Sequence, residues 1–598
     1  MGMAAIPVLF RGRKATTVSD VVVATLLDWG VDTIFGLPGD GINGMFEALR
    51  QHEREIRFIQ TRHEEAAAFM ASAHYKYTGK LGVCIATSGP GAIHLLNGLY
   101  DARLDRAGVL AITGQTYTDL KGTHYQQEVN LVRLFADVAE YNEAIINANQ
   151  AESVTDLACR HAFTKATVAH INLPVDVQDQ PAREKLSHMR PARTITSAAR
   201  SRYITVPCDH DLEQAAAGLN RGKRIAILAG AGAVGARREL IAVAERLQAP
   251  VIKALLGKAA IPDDHPLSAG GLGLIGTLPS QRAMEECDTL FIVGSSFPYM
   301  QFLPEKREEV TGIQLDLRPE CIGLRFPVSV GLVGDAAAAL EDLLPRLKKH
   351  DGRFLKTTQK RMRDWNQLMD SRANHMSKPM KPQTVARTLS ELAPSDAVVA
   401  CDCGTVTTWM ARHFMIRGEQ KWAMAGNLAT MAPGLPYGIA GAVAYPRRRT
   451  IAFVGDGAFT MLMGEFATAV KYNLPLTVVL IKNNTLGQIK WEQMVFLGNP
   501  EYQCELQPID FAAYARACGG IGYTVDDPRQ LRAILQQALR SPKPSLVECI
   551  TDPFEPPMPA EATPKQGLHL AESLARGEPH RGRIALTLFR DKVRDFKA

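Results

Sequence analysis

Thr450-Ile-Ala-Phe-Val-Gly455-Asp456-Gly457, followed after twenty-five residues by Asn483-Asn484, decides the reading of this chain. Residues 450–454 form a short apolar run of strand type, and 476–481 form a second one ending just before the Asn pair. An Asp at the C-terminal end of one strand and an Asn at the end of another direct oxygens into one crevice. That crevice is where open α/β sheets bind ligands. Carboxylate and amide oxygens suit a hard cation such as Mg²⁺, with a diphosphate completing the octahedron. Gly455 and Gly457 let the backbone approach phosphate, and the helix opening at Asp456 offers its N-terminus. Read alone, Gly-Asp-Gly is only a tight turn; the Asn pair and the strand context make it a ligand motif.

Working outward, short apolar runs alternate with amphipathic segments along most of the chain, predicting parallel sheets covered by helices. Three α/β domains of the doubly wound, Rossmann-like class are expected, at 14–185, 205–347 and 382–552, with a C-terminal tail at 553–598. In the first, strands are expected at 33–37, 82–87, 108–113 and 171–177, and a helix at 64–77. In the second, strands at 225–228, 251–255, 289–293 and 312–315 flank a Gly-rich turn at 229–236 and a helix at 237–247. In the third, strands are expected at 397–401, 450–454, 476–481 and 545–550. A basic connector, 180–202, and a helix plus linker, 348–381, join the three.

The 598 residues carry 68 Lys and Arg against 62 Asp and Glu, too mild an excess for a nucleic-acid partner. With 46% hydrophobic and 22% charged residues, the composition is that of a globular chain with a large core. No run reaches the eighteen or so apolar residues of a membrane span, and the opening residues do not read as a secretory signal. None of the ten cysteines forms a CxxC pair, so a zinc framework is not expected; Cys401 and Cys403 read as strand residues of alternate facing. A reducing, cytoplasmic compartment follows.

The Gly-Asp-Gly motif and its Asn pair resemble the signature of the thiamine diphosphate enzymes, and the three-block order resembles that family's pyrimidine-binding, central and diphosphate-binding domains. The resemblance implies thiamine diphosphate and Mg²⁺ as cofactors, the metal held by Asp456, Asn483 and the backbone carbonyl of Thr485. Gly457 and Ala458 would line the diphosphate, with Gly404 and Thr405 in a second cofactor-binding turn. Ala429-Thr430-Met431 resembles the segment whose bulky residue, here Met431, props the cofactor into its bent shape. Thr61-Arg-His-Glu64 resembles the family's glutamate segment, which makes Glu64 the acid that activates the aminopyrimidine ring. Without the motif in the third block, Glu64 reads as an acid at a helix N-terminus. Ser88-Gly-Pro-Gly91, His94 and Asn97 resemble the loop beside the site, and Gln127 is implied to face substrate.

The second block discriminates among members. Its Gly230-Ala-Gly232-Ala-Val-Gly235 lacks the acid that a nicotinamide site places after the next strand, where Val251-Ile-Lys253 stands. Leu272-Gly273-Leu274-Ile275-Gly276, Ser295-Ser296-Phe297, Asp316 and Asp335 instead resemble the FAD-binding central domain of pyruvate oxidases. The implied function is oxidative decarboxylation of pyruvate, or a related 2-keto acid, to acetate and CO₂ with electrons passed to a quinone. The alternative is a carboligase of the acetolactate synthase type with FAD structural or absent. The synthases' Arg-Phe-Asp-Asp-Arg stretch is missing at 296–300, which disfavours it. Gln126 and Gln488 stand where the oxidases carry aromatic residues, and Met300 where they carry an Arg. Gln488 is therefore implied to face the substrate beside Gln127. A subunit that kept the fold and lost activity is disfavoured by the retained glutamate, Asp/Asn pair and glycines.

The family also implies at least a homodimer, commonly a homotetramer, with the cofactor between two subunits. The tail segment 576–597 holds seven Lys and Arg against three acids, and Ile584, Leu588 and Phe589 make a thin apolar stripe. Peripheral contact with the inner face of the cell membrane is the corresponding expectation; packing over a neighbouring subunit is the other.

Overall fold

The computed structural model describes residues 8–10, 13–182, 204–376, 378–557, 559–561 and 563–595, with side chains described from 15 to 588. Most of the connector at 180–202, the Phe589 side chain and Lys597 lie outside the described residues. Three six-stranded sheets are present, and every pairing within them is parallel. A two-stranded antiparallel ribbon, Val8–Phe10 with Arg13–Ala15, precedes them.

In the first sheet the strands lie in the order Arg57–Gln60, Thr33–Gly36, Gly82–Ala86, Val109–Gln115, Val168–Pro174, Tyr141–Ala144. The third repeats that order with Lys421–Ala423, Val398–Cys401, Thr450–Gly455, Leu476–Lys482, Ser545–Ile550, Ile521–Val525. Numbered within each domain, both read 2-1-3-4-6-5. The central sheet differs: Ser268–Gly271, Val251–Lys253, Ile225–Ala229, Thr289–Val293, Thr311–Asp316, Val330–Val333, or 3-2-1-4-5-6. That is the order of dinucleotide-binding sheets. Central strands such as Leu476–Lys482 are buried along their whole length, which is why they read as unbroken apolar runs.

Several expectations shift in detail. The strand at 171–177 instead runs Val168–Pro174, and Pro174 hands over to a short helix, Val175–Gln178. The Gly-rich turn becomes a 3₁₀ helix, Ala231–Ala236, and the long helix of the linker spans Arg353–Ala373. Cys403 lies beyond the strand rather than alternating within it; its thiol reaches the carbonyl of Ala425 at 3.2 Å.

The first and third domains share one core. The helix Glu64–Thr78, rich in alanine, packs on Gly434–Ala444, whose Gly438 and Gly441 lie against the sheet at Ala452 and Val398, and Phe35, Phe69, Tyr437 and Phe466 join a single buried cluster. Buried polar groups cross the same seam: Lys76 Nζ bonds Tyr437 Oη at 2.5 Å and pairs with Asp101 and Asp105 at 3.1 and 2.7 Å. The tail forms two helices, Pro564–Ala575 and Arg581–Asp595. Ile584 is fully buried against Trp491, Met494, Val495 and Phe554, with Leu588 beside it, so these two residues face the protein's own body. Among the described residues no helix is long and apolar enough to cross a membrane.

Candidate functional site

A single cleft of about 2180 Å³ opens where the third and central sheets reverse strand order. Such switch points are where open α/β sheets take ligands. It is larger than the ~300–1,000 Å³ that one small ligand fills. The third-domain wall is made by the ends of two neighbouring strands. Val398–Cys401 leads through Asp402 to Gly404 and the helix Thr405–His413; Thr450–Gly455 leads into Asp456–Met461. Gly404 has φ 110°, and a Cβ there would project into open space, so the backbone is bare where it faces the cleft.

Asp456 is 5% exposed, and burial pushes its carboxyl above the ordinary range against the pull of its backbone hydrogen bonds. Its Oδ2 accepts the Asn483 and Asn484 N–H groups at 3.0 and 2.6 Å, and its Oδ1 accepts the Gly457 N–H at 2.9 Å. Three of the carboxylate's roughly four acceptor positions are thereby used. Asn483 Oδ1 accepts the Thr485 N–H at 3.2 Å, and the Thr485 carbonyl accepts the Gly487 N–H at 2.8 Å, so each keeps a lone pair. The Thr485 hydroxyl is buried without a hydrogen-bond partner, and Asn484 is held at φ 54°. A desolvated carboxylate with an amide and a carbonyl oxygen beside it is a donor set that fits Mg²⁺.

Across from this loop stands Ala429-Thr430-Met431-Ala432. Ala429 (φ 54°) and Ala432 (φ 90°) both hold a left-handed backbone, which costs of order 1–3 kcal/mol each without surrounding support. The support is Asp402, fully buried: Oδ1 accepts the N–H groups of Cys403 (2.8 Å) and Ala432 (3.1 Å), and Oδ2 that of Gly434 (2.9 Å). Burial raises its carboxyl to about 7 although these bonds pull the other way. Ala429 and Met431 line the cleft; Thr430 instead meets Asn97 of the first domain at 3.3 Å.

The central-domain wall comprises Leu272, Gly273, Leu274, Ile275, Ser295, Ser296, Phe297, Asp316 and Asp335. Gly230 and Gly232 serve backbone packing there: a Cβ would strike the Gly294 carbonyl oxygen at 2.2 Å and its Cα at 2.9 Å. Asp316 accepts the Arg318 N–H at 3.1 Å and lies 3.6 Å from Arg106 of the first domain; Asp335 caps the helix Ala336–Leu343. Arg412, on the helix behind Gly404, donates to the carbonyls of Gly276 and Leu274 at 3.0 and 2.9 Å and so fixes the two walls to each other. The sheet order, the left-handed Gly273 turn (φ 99°) and an acid at a strand end fit a dinucleotide.

The sequence candidates thus fall into two groups. Asp456, Gly457, Ala458, Asn483, Thr485, Gly404, Thr405, Met431 and Gln488 share the cleft with the central-domain set. Gln488 donates to Glu492 at 2.9 Å. Glu64 and Gln127 are not on its wall. They form a second cluster in the first domain, where Glu64 Oε2 meets His94 Nδ1 at 2.9 Å and Ser88 donates to Gln127 at 3.3 Å. Gly91 approaches Glu64 so closely that a Cβ would lie 3.0 Å from Oε1. Glu465, following the Gly-Asp-Gly helix, accepts the N–H groups of Arg62 and His63 at 2.7 and 2.9 Å, and burial raises its carboxyl to about 7. Asp402 carried a signal that went unused, being an Asp at a strand end like Asp456. Arg106, Arg412 and Glu465 act across hundreds of residues and have no local signature.

Three family models match in the same order: "Thiamine pyrophosphate enzyme, N-terminal TPP binding domain" over residues 16–134, its central domain over 212–343, and its C-terminal TPP binding domain over 402–549. A Bacillus subtilis (strain 168) protein described as thiamine pyrophosphate-containing, YdaP, is 41% identical, covering 92% of this chain and 93% of its own. Pyruvate oxidase of Lactiplantibacillus plantarum is 30% identical over 90% of this chain and 89% of its own. The acetolactate synthase isozyme 3 large subunit of Escherichia coli K12 is 29% identical over 87% and 92%. Domain order, sheet topology, the Asp456–Asn483 cleft and these likenesses agree, and the chain belongs to the thiamine pyrophosphate enzyme family.

Proposed function

We propose that this chain oxidatively decarboxylates pyruvate or a related 2-keto acid. In the proposed reaction the keto acid, water and a quinone give acetate, CO₂ and the quinol. Asp456, Asn483 and the Thr485 carbonyl would hold Mg²⁺, and the bare backbone at Gly404 would leave room for the diphosphate. When bound, thiamine diphosphate supplies an electron sink for the pair left by departing CO₂. Met431, braced through Asp402, sets the shape of the space that the cofactor fills. Glu64 would hold and exchange a proton at its carboxyl beside the aminopyrimidine, and Gln127 and Gln488 would orient the substrate's carboxylate and keto oxygens. Since Glu64 and Asp456 of one chain do not share a cleft, a second copy brings its first domain against this third domain, and the active unit is at least a homodimer.

The observation that carries the oxidative reading is the continuity of the cleft from Asp456 to Asp316, which supports FAD bound in the central domain beside the reacting centre. A quinone acceptor implies work at the inner face of a membrane. Arg581 and Arg583 are exposed while Ile584 and Leu588 face inward, so contact through the tail would be electrostatic. The Gln488–Glu492 pair on the cleft wall supports the second reading, a carboligase that adds the decarboxylated fragment to another carbonyl. Product analysis with labelled pyruvate, Mg²⁺, thiamine diphosphate and a water-soluble quinone tests both. Acetate formed in step with quinol supports the oxidase; a ligated C–C product without quinol supports the synthase; no CO₂ release from any 2-keto acid refutes both.

A further inference from the structure

Where the C-terminal segment meets the third domain, two carboxylates and an imidazole crowd together. Glu501, Glu505 and His580 each bring one ligand atom to within 4.8 Å of the others. His580 Nε2 lies 3.1 Å from Glu505 Oε1 and 3.8 Å from Glu501 Oε1. Ligand atoms around a tetrahedral zinc ion with bonds of ~2.0–2.2 Å stand roughly 3.3–3.6 Å apart, so both His580 separations lie within a few tenths of an ångström of that spacing. Glu501 is oriented for this because its Oε2 pairs with the buried Lys490 Nζ at 2.9 Å, leaving Oε1 toward His580.

A second observation points to a missing cation. Glu578, 2% exposed, spends its Oε2 on the Glu501 N–H at 2.9 Å, and its Oε1 is buried with no hydrogen-bond partner. Leaving a carboxylate oxygen so is costly unless a positive charge compensates it. Lys490 is committed to Glu501 and to the Phe554 ring, 4.9 Å away, and Arg583 lies on that ring at 5.9 Å.

We propose that Glu501, Glu505 and His580 form a second divalent-metal site, of the zinc class, beside the buried carboxylate of Glu578. Its position gives it a task. Glu505 forms an antiparallel bridge with Thr485, the Leu486 N–H donates to the Cys504 carbonyl at 2.7 Å, and the Leu506 N–H to that of Asn484 at 2.8 Å. Pro559, Glu561, Thr563 and Gln566, on the chain leading to His580, line the cleft. One ion there pins the tail segment that walls the cleft to the loop that carries Asn483 and Thr485.

The test is zinc binding by full-length protein, saturated with Mg²⁺ and thiamine diphosphate, measured by competition with a chromophoric chelator. This readout does not depend on turnover or on the oxidase reading. One zinc ion per chain is expected, with affinity reduced at least tenfold in both His580→Asn and Glu505→Gln and unchanged in His94→Asn. Zinc should also slow tryptic cleavage at Arg576, Arg581 and Arg583 in the unmodified protein. Glu505 is 75% exposed at its side chain, so Glu505→Gln keeps the test decisive should His580→Asn misfold. Equal zinc affinity in Glu505→Gln and the unmodified protein, or loss of binding only in His94→Asn, would overturn the proposal; the latter would place the ion at His63, Glu64 and His94.

Discussion

Asp402→Asn is the substitution that probes the architecture of the cleft most sharply. The carboxylate serves three backbone donors, and an amide keeps at most the two on one oxygen while its NH₂ faces the Gly434 N–H. Above about pH 7, where the carboxyl is ionised, losing one hydrogen bond to a charged group, and setting donor against donor, costs about 2–4 kcal/mol. Against it stands the strain of Ala429 and Ala432, about 2–6 kcal/mol for two left-handed non-glycine residues. The two are comparable, so the Met431 loop should relax and thiamine diphosphate affinity should fall roughly ten- to hundredfold, about 1.4–2.8 kcal/mol. Titration of intrinsic fluorescence with the cofactor at fixed Mg²⁺ measures this. There is also a pH signature. Asp402 rises from 3.8 unfolded to about 7 folded because burial disfavours its charge. Its contribution is therefore full below about pH 4 and is lost as pH rises through about 7, on the order of 4 kcal/mol. Thermal midpoints of Asp402→Asn should vary less between pH 4 and 7 than those of the unmodified protein. Unchanged cofactor affinity together with an unchanged pH profile would refute the bracing role.

Glu64→Gln should lower turnover by about 10²–10⁴ while cofactor affinity and thermal midpoint hold, since only proton exchange is removed; steady-state rates beside binding titrations check this. In Gly404→Ala, a φ of 110° becomes strained and a methyl enters the cleft, so cofactor affinity should fall at least tenfold, read by the same titration. Glu465 rises from 4.5 to about 7 through burial, so its contribution is full below about pH 4.5 and lost as pH rises through about 7. Glu465→Gln should flatten thermal stability over that window and shift the pH profile of turnover, because the Arg62–His63 segment leading to Glu64 loses its anchor.

Legibility in the sequence followed burial and length. The strands Thr289–Val293 and Ser545–Ile550 are almost wholly buried and the helix Arg237–Leu247 is strongly amphipathic, and the expected bounds coincide with the observed ones. Six edge strands escaped: Arg57–Gln60, Tyr141–Ala144, Ser268–Gly271, Val330–Val333, Lys421–Ala423 and Ile521–Val525 are three to five residues long, and three contain glycine. The Gly-Asp-Gly and Asn-Asn motif was readable because its parts sit at the ends of neighbouring strands. What holds the cleft walls was not: Arg412 reaches carbonyls more than a hundred residues earlier, and Glu465 reaches the first domain. Only topology brings such partners together. Nor does one chain unite Glu64 with Asp456, a separation that follows from which domains share a core.

The proposed oxidation rests on electron transfer from a decarboxylated keto acid to a flavin in the same cleft. The most direct measurement is an anaerobic visible spectrum of the purified protein with thiamine diphosphate and Mg²⁺, before and after pyruvate. An oxidised flavin band that bleaches within the time of one turnover is the result expected. A flavin that stays oxidised while CO₂ is released, or a protein that binds no flavin, would contradict it.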